Sequence, residues 1–250
     1  MTITITGGVT INGTMRSSTV TVAPTETVPV TTGLAVQLDA ENSSFVFSSG
    51  TSVTQWQDLS GNGHHANSLL VINGFAEPNR NDGTLAPTPD DRPFVTNRSF
   101  NFGFNIVGSD SITVKDAFFV TRRTLPNWLD FGGWINPNAV GVYWIFGPNG
   151  TKQLQTLSFD SFFQNNTEYA TSEPFATDLD VWAIYHMRSA AGLTSGTGFN
   201  LLHLEDTTSF ASRSWLGDVA EILIYDTTLS GGDLTSVLSY LSFKYNITIA

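Results

Sequence analysis

Retaining cleavage of a glycosidic bond needs two carboxyl groups about 5 to 5.5 Å apart, so the acidic residues are the first place to look for chemistry. Glu221 and Asp226 stand in and just after one apolar run, five positions apart. On a regular strand that spacing puts them on opposite faces. Neither Glu205-Asp206 nor Asp178 with Asp180 supplies a better pair. The sequence has no Gly-x-Ser-x-Gly elbow and no phosphate loop. Glu221 is therefore expected to be buried and ion-paired, no residue is assigned a catalytic role, and the chain is expected not to be an enzyme. A glycoside hydrolase is the third reading, behind a structural protein and a binding module.

Other residue types allow binding rather than catalysis. Asp58, Ser60 and Asn62 place oxygen donors at alternate positions in a loop with Gly61 and Gly63. They read as a rigid turn closed by side-chain-to-backbone bonds, with a Ca²⁺ loop as the alternative; no bidentate Glu follows at the EF-hand position. No cofactor is otherwise expected. His64 and His65 are adjacent, so on a strand they face opposite sides and do not share a metal. Between residues 124 and 149, large aromatics alternate with Pro and Gly. Trp128 and Trp134, nearest those breaks, are the candidates for stacking on sugar rings, although large aromatics commonly fill a core.

Short strands must position these groups. The chain has 250 residues, 40% of them hydrophobic, enough for a sizeable core. Only 13% are charged and the net charge is −11, which argues against a sequence-independent nucleic-acid binder. There are no cysteines and no apolar run long enough to span a bilayer. No signal peptide is recognised at the N-terminus.

Residues 33–39 alternate apolar and polar, as a half-buried strand does. Val219 to Tyr225 reads as a buried strand. Ser230 followed by Asp233 marks a helix start, and Leu234, Val237, Leu238 and Leu241 form its apolar stripe. Many further short segments are bounded by Gly, Pro and Asn. They predict an all-β, two-sheet antiparallel jelly-roll sandwich with one C-terminal helix.

Residues 1–32 differ from the remainder: no aromatic residue, and only Arg16 and Glu26 charged. They are expected to form an extended, β-prone arm ahead of one domain at 33–250. Ile3, Ile5, Val9, Ile11, Val20 and Val22 are its candidate assembly residues, able to add a strand to an exposed sheet edge. A disordered leader is the bland alternative.

GDVAEILIYDTTLS…VLSYLSFKYNI near the C-terminus resembles the closing strand and helix of laminin-G-like domains in the concanavalin A-like lectin/glucanase superfamily. GLAVQLDAEN at 33–42 is similar to that family's first strand, and VTQWQDLSGNGHHA at 53–66 to its Trp-x-Asp-x-Ser-Gly-Asn-Gly turn. DDRPFV at 90–95 and SITVKDAFFVTRR at 111–123 match more loosely, and the resemblance spans about residues 33 to 248. The glucanase branch carries its acids as Glu-x-Asp-x-x-Glu on one strand, a motif this chain lacks.

An arm followed by such a sandwich resembles phage virion proteins. The resemblance implies a non-enzymatic surface protein, a capsid decoration or tail-associated protein, made in the host cytoplasm and docked on other virion proteins through residues 1–32. A carbohydrate-binding adhesin that engages cell-surface glycans is the alternative. Neither nucleic acid nor membrane insertion is expected; a homo-oligomer is.

Overall fold

The computed structural model describes residues 26–68, 79–81, 92–97, 103–123, 135–137, 144–146, 154–156, 159–169, 180–194, 198–202, 215 and 217–250. In chain order, the described strands begin with β1 (Leu34–Asp39), β2 (Phe45–Ser49), β3 (Ser52–Trp56), β4 (Ala66–Ser68) and β5 (Asn79–Asn81). They continue with β6 (Phe94–Asn97), β7 (Phe104–Ile106), β8 (Thr113–Arg123), β9 (Ile135–Pro137), β10 (Trp144–Phe146) and β11 (Leu154–Thr156). The last are β12 (Ser161–Gln164), β13 (Thr167–Tyr169), β14 (Ala183–Thr194), β15 (Phe199–Leu201) and β16 (Gly217–Tyr225), followed by helix α1 (Gly231–Tyr245).

The fold is an all-β sandwich of two antiparallel sheets with a C-terminal helix, as expected. One sheet runs β13-β12-β14-β8-β16, with β1 also paired to β16. The other runs β3-β4-β7-β15-β9, with β2 paired to β3. β6 and β5 carry the ladder from β16 across to β3. β10 and β11 form a separate pair.

The first sheet is buried on both sides, which is why β16 is apolar almost throughout and wholly buried. Val114, Ala117 and Phe119 of β8 and Ile222 and Ile224 of β16 point into the core between the sheets. There they meet Trp56, Phe104, Ile106, Phe199 and Trp215 from the second sheet's side. Alternate residues, Phe118, Val120, Leu223 and Tyr225, point the other way and pack under Val237, Leu238 and Leu241 of α1.

Ser230 caps the helix by accepting from Asp233 N at 3.2 Å. The Asp233 carboxylate in turn accepts from the Ser230 hydroxyl at 2.7 Å, closing the cap from side chain to side chain. Asn246, at φ 49, ends the helix with Ile247 N donating to Ser242 O. The helix buries more than the stripe of three leucines and one valine foresaw: Leu234 is only partly buried, whereas Tyr240, Lys244 and Tyr245 are buried.

Residues 26–33 lead in along the helix side. Val28 and Val30 pack against the helix-side core, and Tyr225 OH donates to Val30 O. Gly33 has φ +71, and a Cβ there would lie 1.9 Å from Thr227 Oγ1, so the turn into β1 requires glycine.

Candidate functional site

The second sheet contributes few residues per strand, and those that face away from the core form a row. Gln55 of β3 pairs with Asn67 of β4, Asn67 with Asn105 of β7, Asn105 with Asn200 of β15, and Asn200 with Asn136 of β9. The chain neighbours Trp56, Ala66, Phe104, Ile106, Phe199 and Leu201 all lie in the core, and the period of two puts the amides of Gln55, Asn67, Asn105 and Asn200 on the opposite face. At the β2 edge the row begins with Val46, opposite Gln55 and 45% exposed.

The row is internally bonded yet keeps unused capacity. Gln55 Nε2 donates to Asn67 Oδ1 at 2.7 Å, and Asn105 Nδ2 to Asn200 Oδ1 at 3.0 Å. Among the described residues, Gln55 Oε1, Asn67 Nδ2 and Asn105 Oδ1 have no protein partner. These three side chains are half-buried, whereas Asn200 is fully buried. A carboxamide offers donors and an acceptor side by side, which suits hydroxyl groups. None of β2, β3, β4, β7, β9 and β15 contains an Asp, Glu, Lys, Arg or His.

The helix side is its electrostatic opposite. A bulge between Val219 and Glu221 places Ala220 and Glu221 on the same face, turned toward α1. Glu221 thereby sits across from Asp39 of β1, a like-charge pair that needs a cation. Lys244 supplies it, with Nζ 2.6 Å from Asp39 Oδ2 and 2.9 Å from Glu221 Oε2; all three residues are 0–1% exposed. Tyr240 and Tyr245 donate their hydroxyls to Glu221, each at 2.9 Å. Burial pushes Glu221 up to about 7 against the lowering by Lys244, while the two carboxylates raise Lys244 against its own burial.

Asp116 anchors a second polar group on the same sheet. It accepts from His186 Nε2 at 2.7 Å, Arg188 Nε at 2.8 Å and Leu229 N at 2.8 Å. Although burial opposes it, this set of donors holds the Asp116 carboxyl below its ordinary range. His186 lies stacked between Phe118 and Phe163, and burial lowers its pKa. Among the described residues no hydroxyl or thiol is bonded to His186, and the Asp116 bonds tie β8, β14 and the approach to α1 together.

Each sequence-derived candidate can now be placed. Glu221 is buried and ion-paired as expected, and Asp226, beyond the end of β16, is exposed. Asp58 is a turn residue: Oδ1 accepts from Gln37 N at 2.8 Å and Ser60 N at 2.9 Å, and Oδ2 from His64 N at 3.0 Å. Ser60 Oγ lies 2.7 Å from Asp58 Oδ2, and Asn62 Nδ2 donates to Leu34 O at 2.9 Å. Both Asp58 oxygens and the Ser60 hydroxyl thus hold the turn together and against β1. Among the described residues, no cluster of three or more His, Cys, Asp or Glu could hold a metal.

His65 Nδ1 accepts from Asp58 N, and His64 Nδ1 bonds Val107 O. Arg122, near the end of β8, pairs with buried Asp218 at 2.8 Å and lies over the Trp182 ring. Trp128 and Trp134, and the arm residues Ile3, Ile5, Val9, Ile11, Val20 and Val22, lie outside the described residues.

The amide row escaped sequence reading. Its residues sit at the centres of three-residue strands or in a bulged one, where no alternation is visible. The available signal was a recurring apolar-Asn-apolar triplet, at Phe104–Ile106 and Phe199–Leu201.

No protein-family model and no curated protein matches the chain. It is similar to solved structures of a Trypanosoma rangeli sialidase. One is a mutant displaying trans-sialidase activity, at 12% identity and TM-score 0.47, covering 87% of this chain and 34% of that one. Another is the sialidase in complex with 2,3-difluoro-KDN, at 14% identity and TM-score 0.43, covering 89% of this chain and 34% of that one. The chain therefore spans about a third of the length of these proteins. These matches are to an enzyme, so the expectation that the chain is not an enzyme is corrected and withdrawn. At such TM-scores the likeness carries no activity over to this chain.

Proposed function

We propose that this chain is a laminin-G-like, lectin-like module displayed on a phage virion, as a capsid decoration or tail-associated protein, with its amide-bearing face turned toward glycans. The observation that carries the reading is the inequality of the two outer faces. One is sealed by α1 and by residues 26–30, whose Glu26 pairs with Arg92 at 2.8 Å and whose Val28 and Val30 join the helix-side core. The other presents uncharged hydrogen-bonding groups. A chain that enters on one side and presents amides on the other suits docking behind and display in front. The composition break near Thr32 and the resemblance at 33–66 and 217–247 support the virion setting.

Two measurements test it. Incorporation of the chain into its parent particle should fail when residues 1–25 are deleted; normal incorporation would sink the docking role. The full chain on a glycan array should show binding that weakens in Asn67→Ala. Loss in Trp128→Ala or Trp134→Ala instead would move the glycan site to the aromatic segment.

A further inference from the structure

Resting on that reading, we propose that Gln55, Asn67 and Asn105 form a binding site for an uncharged, polyhydroxylated chain, a neutral oligosaccharide, lying across β3, β4 and β7.

Three observations converge on this. The amides are in register, so a ligand crossing the strands meets a carboxamide at every strand, about 4.8 Å apart. A chain of rings linked through hydroxyl-bearing units can meet such a periodic row ring by ring. The atoms left without a partner among the described residues alternate along the row: acceptor at Gln55 Oε1, donor at Asn67 Nδ2, acceptor at Asn105 Oδ1. A hydroxyl both donates and accepts, so it can answer all three, whereas a carboxylate can take up only amide N–H groups and leaves the two free oxygens unanswered.

The third observation is the absence of ionisable residues from the six strands of this sheet named above. A sialic or uronic acid would find no guanidinium or ammonium on those strands to offset its desolvation. The accessible row is also short. It opens at exposed Val46 and ends at fully buried Asn200, leaving three half-buried amides that span about 10 Å.

The test is titration of the full chain with neutral oligosaccharides of increasing length, beside sialic-acid-terminated and uronic-acid oligosaccharides, at low and high salt. The expected result is affinity for a neutral series that rises with length, levels off once the ligand covers three strands, and does not change with salt. Asn67→Asp retains Oδ1 to accept from Gln55 but removes the free Nδ2 donor, and should weaken binding about tenfold or more. Its unfolding midpoint reports whether the fold survives. Preference for acidic ligands, a salt-dependent affinity, or unchanged binding in Asn67→Asp would overturn the inference. If binding persists in Asn67→Asp but is lost in Trp128→Ala, the glycan-binding reading stands and this site does not. If no glycan binds, both fail.

Discussion

Beneath α1, Asp39, Glu221 and Lys244 lie 0–1% exposed, with two carboxylates sharing one ammonium. On the far side of the sandwich, Gln55, Asn67 and Asn105 are half-exposed and uncharged. The first group is closed on itself: the phenols of Tyr240 and Tyr245 and the backbone around Asp39 complete its bonding. The second is bonded along the row yet keeps one polar atom free at each of three strands. Buried charge of the first kind fixes how the helix seats; exposed amide of the second kind is available to a partner.

Breaking the comparison from the charged side should have the largest effect. Lys244→Met leaves Asp39 and Glu221 facing each other without a cation, and should cost about 3–5 kcal/mol in denaturant unfolding. A loss no greater than that of an exposed substitution would mean the cluster is not what seats α1.

The pH profile sharpens the same point. Burial raises Glu221 to about 7 in the folded state, against 4.5 for a free side chain, so between those values it binds a proton the unfolded chain has lost. This contribution to stability is greatest at the acid end and declines as pH rises through the window. Subtracting the profile of Glu221→Gln isolates it, because buried His186, with its lowered pKa, acts in the opposite sense below 6.5 in both proteins. A flat difference between pH 4.5 and 7 would contradict the burial-driven shift.

Smaller effects follow outside the cluster. Ser230→Ala removes the helix cap and should cost about 1 kcal/mol by thermal unfolding. Asn67→Ala should cost least, within about 1 kcal/mol, while abolishing most glycan binding. A large loss of stability there would recast the row as a strand-pairing device.

What the sequence made legible was local. The β16 run, the Ser230 cap and the Asp58 turn each declare themselves within about a dozen residues, and each stands where its pattern placed it. The enclosure of Glu221 was legible too, because a lone acid in an apolar strand must find a partner. Which face it takes was not: the bulge at Val219 and Glu221 breaks the alternation on which such a reading depends. Lys244 stands in the last turn of α1, and only tertiary packing brings it 205 residues back to Asp39. The amide row is the extreme case. Asn67 and Asn200 are far apart in the chain, and a three-residue strand is too short to show a period, so cross-strand register alone reveals the row.

The pairing of β1 with β16 also gives the sandwich a mechanical grain. β1 is the first described strand after the lead-in at residues 26–33, and it lies antiparallel against β16. If the molecule is tethered through its N-terminal side and pulled by a ligand on the far sheet, tension enters along the axis of β1. Its ladder bonds to β16 are then sheared together instead of being opened one at a time, and the Asp58 turn braces the other side of β1 through Gln37. The force passes on through β6 and β5 to β3, where the amide row begins.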